Sequence, residues 1–132
     1  IEIKIYGTIE KNGYFRKSTN IEKINFFKLA SQSENYFCVI NYYSEYKNNE
    51  IQSEDIMIFE KRKEINANII TGEKNIYIVK FEEEIKICKL EDTGDYILVK
   101  DLNISSKTVV LGKNDRYKLK IIGKLEKNIR SY

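Results

Sequence analysis

Histidine is absent from the 132-residue chain, as are proline and tryptophan. Every histidine-based triad and most zinc sites are thereby excluded. Chemistry has to come from hydroxyls, thiols, amines and carboxylates. Ser44, in Tyr42-Tyr43-Ser44-Glu45, is a candidate nucleophile. A serine hydroxyl needs a positioned base, and a lysine serves only when burial lowers its pKa from the usual ~10.4. Lys86 and Lys89 flank Cys88 in the segment Ile85–Leu90. On an extended strand, residues 86, 88 and 90 share one face and 85, 87 and 89 the other. Lys86 is then a neighbour of Cys88, and Lys89 points away. The other cysteine, Cys38, is distant and no CxxC exists, so no structural metal is expected. Two lone thiols fit a reducing cytoplasm, each buried as a small hydrophobe.

Other signals have plainer readings. The run Glu82-Glu83-Glu84 does not converge on one point and reads as a charged turn, and Lys61-Arg62-Lys63 reads as a solvated loop face. Ten tyrosines could stack on single-stranded nucleic acid, but cross-strand packing accounts for them equally. No Gly-rich phosphate loop is present, and no cofactor is expected. A net charge of +3 is too mild to argue for direct nucleic-acid binding.

The elements that must position these residues are strands. Ile1–Tyr6 alternates apolar and polar residues strictly. Asn35–Ile40, Asp55–Phe59, Ile76–Phe81, Ile85–Leu90, Tyr96–Lys100, Lys107–Leu111 and Tyr117–Ile122 are rich in Ile, Val, Tyr and Phe. Turn signals such as Lys11-Asn12-Gly13 and Asp92-Thr93-Gly94-Asp95 separate them. Helical signal is thin: a turn or two within Asn20–Ala30, and a short helix or loop at Lys61–Asn68. At 132 residues, 42% hydrophobic, the chain suffices for one domain spanning 1–132. No apolar run approaches 18 residues, so no membrane partner is expected. The chain opens on Ile1, so an upstream segment is expected.

Several segments carry a likeness in order. Ile3-Lys4-Ile5-Tyr6-Gly7-Thr8-Ile9 has the form of an opening hydrophobic-P-hydrophobic-x-G-x-hydrophobic strand, with Lys4 where proline is usual. Asn35–Ile40 leads toward a serine turn, and Glu54-Asp55-Ile56-Met57-Ile58 matches a G-D-hydrophobic strand. Ile76–Leu90 matches a hairpin ending in hydrophobic-K-R-L, and Asp101-Leu102-Asn103 an S-x-N. Ile121-Ile122-Gly123-Lys124-Leu125, followed by Ile129-Arg130, matches a closing I-I-G-x-V…I-R strand. Together they resemble the S24 peptidase-like domain of LexA, UmuD and phage repressors. The resemblance implies an all-β fold of twisted antiparallel sheets forming a partly closed barrel, and a Ser-Lys dyad that cuts an Ala-Gly or Cys-Gly bond after the first strand. It puts Ser44, with one residue inserted, at the nucleophile, Cys88 at the base lysine, Lys89 at the following arginine, and Asn12-Gly13 at the cleavage site. Three parts of one reaction have drifted together. The expectation is a regulatory and dimerisation domain of a LexA-like or phage-type repressor without peptidase activity. It would act as a homodimer through an edge at Tyr117–Ile122 and reach DNA only through an upstream helix-turn-helix. The alternatives are an active self-cleaving peptidase, with Ser44 served by Lys86 or Lys89, and a β-barrel binding module unrelated to S24.

Overall fold

The computed structural model describes residues 2–18, 23–25, 35–46, 51–61, 75–103 and 107–130. Ten strands form one sheet: β1 (Glu2–Ile9), β2 (Phe15–Lys17), β3 (Lys23–Asn25), β4 (Tyr36–Asn41), β5 (Ile56–Lys61), β6 (Asn75–Phe81), β7 (Glu84–Asp92), β8 (Tyr96–Asp101), β9 (Val109–Gly112) and β10 (Leu119–Ile129). Their order is β2-β1-β4-β5-β10-β6-β7-β8-β9, with β3 also on β1. The fold is all-β, and the sheet curls into a half-barrel. All pairings are antiparallel except β1 with β4. Among the described residues no helix is long and apolar enough to cross a membrane.

The middle of the sheet is buried on both faces. Along β6, Ile76 and Ile78 join one apolar cluster with Val39, Phe59 and Ile87, while Tyr77 and Val79 join another with Cys88, Leu90 and Val99. Successive strand residues face opposite sides, so β6 reads as a continuous apolar run rather than an alternating one. A third cluster, Ile3, Ile5, Cys38 and Ile58, lies across β1, β4 and β5. A short 3-10 helix, Lys113–Lys118, links β9 to β10 and is tied down by Arg116, whose guanidinium is 2.8 Å from Asp92 Oδ1.

Eight sequence-derived strands coincide with β1 and β4–β10, seven of them to within three residues, while β10 runs seven residues past Ile122. Two expectations need correction. Tyr117–Ile122 was expected to leave a free edge, but Tyr117 belongs to the 3-10 helix and β10 sits between β5 and β6, bonded on both sides. Alternation reports which face is buried and carries no information about the flanking strands. Within Asn20–Ala30, residues Lys23–Asn25 form β3 rather than a helical turn. The rest of that stretch lies outside the described residues, as do 62–68 of the second helical candidate and Arg62-Lys63 of the basic run.

The β6–β7 connection is a two-residue turn in which Glu82 and Glu83 have φ 52 and 65. Positive φ at both central positions is the type I′ hairpin geometry, which favours Asn-Gly. Glutamate there is strained, at about 1–2 kcal/mol per residue. The double substitution Glu82→Asn/Glu83→Gly should therefore raise stability by about 1–2 kcal/mol. Urea titration would show a higher midpoint at an unchanged slope, and an unchanged or lower midpoint would refute the strain argument.

Both cysteines are fully buried. Burial pushes the Cys38 thiol up to about 12 and raises that of Cys88 further. Neither supplies thiolate near neutrality. Neither thiol should react with a disulfide reagent at about pH 8 until denaturant is added; prompt native labelling of either would contradict this packing.

Candidate functional site

A cleft of about 710 Å³ opens where the β1–β2 hairpin, the turn after β4, the start of β7 and the end of β8 meet. The hairpin supplies Lys11 to Phe15, the turn Tyr43, Glu45 and Tyr46, and β7 and β8 supply Ile85 to Ile87, Asp101 and Asn103.

One buried residue, Asn41, fixes the turn. The Asn41 side-chain amide donates to the carbonyls of Tyr43 and Gln52, both at 2.9 Å, and its Oδ1 accepts from the Tyr43 N–H at 3.0 Å. One side chain thus replaces the sheet hydrogen bonds that end with β4, as an Asx-type turn does. The turn delivers Tyr43 into the cleft, where its hydroxyl donates to Asn103 Oδ1 at 2.9 Å. Tyr46 packs edge-on against Tyr43, ring centroids 4.9 Å apart, and bridges to Asn103 through the backbone.

Asp101 organises the opposite wall. Its Oδ1 accepts the Asn103 N–H at 2.9 Å, and its Oδ2 lies 3.6 Å from the Lys86 ammonium. Glu84 holds the same ammonium at 3.4 Å. Two carboxylates thus face this one amine. Burial, together with the Asp101 charge, also raises the phenol of Tyr46. Burial raises that of Tyr43, with Glu45 and Asp101 adding to it. Both phenols are therefore neutral hydrogen-bonding groups rather than nucleophiles.

The candidates read from sequence are distributed unevenly. Asn12 and Gly13 line the cleft, and so does Lys86. Cys88 lies behind that wall, fully buried, its partner on β8 being Asp101. Ser44 is exposed and is not among the lining residues. Lys89 faces the opposite side of β7 from Cys88 and sits opposite Lys100, away from the cleft. Sequence reading missed Asn41 and weighed Tyr43 and Tyr46 only among the tyrosines that could stack on nucleic acid. The available signal was positional: Asn41 and Tyr43 directly follow the apolar run of β4.

Among the described residues no group of three or more acidic or thiol ligands could hold a metal ion. No family model matches the chain, and no curated protein matches it.

Gly13 closes the site. It has φ 88, and a Cβ there would stand 2.9 Å from Asn103 Nδ2 and 3.1 Å from the Tyr43 ring. Gly13→Ala must therefore strain the backbone and push the hairpin loop off the Tyr43–Asn103 pair. The cost should be about 1–3 kcal/mol, with the aromatic signals of Tyr43 and Tyr46 shifted in an NMR spectrum. Wild-type stability with unmoved signals would show that the loop does not rest there.

Proposed function

We propose that this chain is a non-cleaving, S24-like regulatory domain, the self-associating half of a LexA-like or phage-type repressor that acts in the cytoplasm. Any contact with DNA falls to a separate upstream helix-turn-helix. The observation that carries the reading is the composition of the cleft. The Asn12-Gly13 turn, which the resemblance puts at the family's cleavage site, lines the same cleft as Lys86. Cys88, which the resemblance puts at the base, is a buried thiol, and the nearby amine pairs with Glu84 and Asp101.

Backbone geometry lends independent support to the resemblance. Glu54 has φ 69, a left-handed conformation, at the position where the family's G-D pair has glycine. Asp55, the acidic member of that pair, is buried and accepts hydrogen bonds from the Gln52 N–H at 2.7 Å and the Asn128 amide at 2.6 Å.

Loss of general-base assistance costs typically about 10²–10⁴-fold. The chain should therefore remain intact when incubated at about pH 9.5, where a perturbed lysine base would be neutral. Intact-mass measurement over days is the check. A cut at Asn12-Gly13 that disappears in Ser44→Ala would overturn the reading in favour of an active Ser-Lys peptidase. A cut indifferent to Ser44 would be the spontaneous lability of an Asn-Gly bond.

A further inference from the structure

The hairpin between β1 and β2 carries the one Asn-Gly pair in the sequence, Asn12-Gly13. Glycine has no side chain, so the main-chain nitrogen after the asparagine is unhindered. That nitrogen can attack Asn12 Cγ. The Cγ–Nδ2 bond breaks, and ammonia leaves with the proton that the Gly13 N–H gives up. Water then opens the cyclic imide at either carbonyl and leaves aspartate or isoaspartate at position 12. Asparagine counts among the thermolabile residues, and Asn12 is exposed to the water that the reaction consumes.

The fold holds both reacting groups. Gly13 N–H donates to Glu10 O at 2.9 Å, and Glu10 N–H to Tyr14 O at 2.9 Å, which closes the turn. Asn12 Oδ1 accepts the Tyr14 N–H at 3.1 Å, an Asx-type bond that pins the carboxamide. Ring closure requires the Gly13 N–H and the carboxamide to leave these partners. The turn is itself held down. Gly13, at φ 88, rests on the hydrogen-bonded Tyr43–Asn103 pair, and Lys11 to Phe15 line the cleft beside it. Reaction therefore proceeds from the lifted hairpin, and its rate scales with the fraction of molecules in that state.

We propose that Asn12 is a self-modification site gated by the docking of its own hairpin, and that conversion to isoaspartate makes the opening of the cleft permanent. Isoaspartate routes the main chain through the former side chain and inserts one more backbone carbon between positions 12 and 13. The added bond is on the order of 1.5 Å long. The site has no such slack, since even a Cβ on Gly13 would stand 2.9 Å from Asn103 Nδ2 and 3.1 Å from the Tyr43 ring. The lengthened turn also takes the Gly13 N–H out of register with Glu10 O. The converted hairpin cannot reseat, and the Tyr43–Asn103 pair stays uncovered. The inference stands apart from the non-cleaving reading, because the reaction uses neither Ser44 nor Lys86 and breaks no main-chain bond.

Peptide mapping of the whole chain, aged at neutral pH and body temperature, tests this. It separates the asparagine, aspartate and isoaspartate forms at position 12 and follows each with time. The folded wild type should convert at least about tenfold more slowly than the same chain in denaturing urea. Asn103→Ala removes one of the two groups on which Gly13 rests, and below its thermal midpoint it should convert faster than the wild type. If that variant does not fold, Tyr43→Phe takes its place with the same expectation, since it removes only the hydroxyl bonded to Asn103. Equal rates in buffer and urea would overturn the gating, as would a folded variant that converts at the wild-type rate. The purified isoaspartate form should show the ring signals of Tyr43 and Tyr46 displaced in an NMR spectrum. Signals identical to those of unconverted protein would overturn the permanent opening.

Discussion

Among the described residues, two polar side chains other than tyrosine are buried from water, and the sheet is organised around them. Asn41 and Asp55 are 0% and 1% exposed. An unpaired buried amide costs a few kcal/mol and an unpaired buried carboxylate considerably more, so both must find partners. Asn41 finds them in the backbone of Tyr43 and Gln52. Asp55 finds them in Gln52, in Asn128 of β10, and in Arg130, whose Nε lies 3.4 Å away. Main-chain bonds between Asn41 and Asp55, and between Glu54 and Asn41, close the loop between β4 and β5. The ends of β4, β5 and β10 are thereby locked at one point. Satisfied polar networks of this kind specify a geometry that apolar packing leaves loose.

The cleft inherits its shape from that lock. Tyr43 enters it because both its N–H and its C=O are held by Asn41, and Gly13 must be glycine because Tyr43 and Asn103 leave no room for a side chain. Across the cleft, Lys86 pairs with Glu84 and Asp101, and Asp101 also accepts the Asn103 N–H. The result is a cleft lined by the phenols of Tyr43 and Tyr46, the amides of Asn12 and Asn103, the carboxylates of Glu45, Glu83, Glu84 and Asp101, and the amines of Lys11, Lys17 and Lys86.

Strand identity was legible in the sequence because it depends on local chemistry. Ile76–Phe81 and Ile85–Leu90 show the β-branched and aromatic enrichment that a pleated, packed surface selects, and the parity of Lys86, Cys88 and Lys89 follows from the pleat alone. The short strands β2 and β3, three residues each, were too brief to leave a pattern. Neighbourhood was not legible either. The alternation of Leu119, Lys120 and Ile121 discloses an inward face but not that β5 and β6 flank it. The site suffered most, because Asn41 acts through two carbonyls and an amide that no side-chain pattern announces. Ser44 drew attention by residue type, while the adjacent Tyr43 does the structural task.

The position of β10 has a consequence for the order in which the chain acquires structure. Strands β6 to β9 form a meander of sequence-adjacent neighbours, whose contacts close over short loops. β5, by contrast, has to wait for β10, which lies more than fifty residues downstream by numbering (Lys61 pairs with Gly123). Closing such long loops is entropically slow, and non-local pairing sets the pace of β-rich domains. On the ribosome the meander can form as soon as it emerges, while the β4–β5 pair has no link to it until β10 has been made. A chain cut short before Leu119 would keep its hairpins yet leave β5 and β6 with exposed, facing edges. The final strand is thus the keystone of assembly as well as the middle of the sheet.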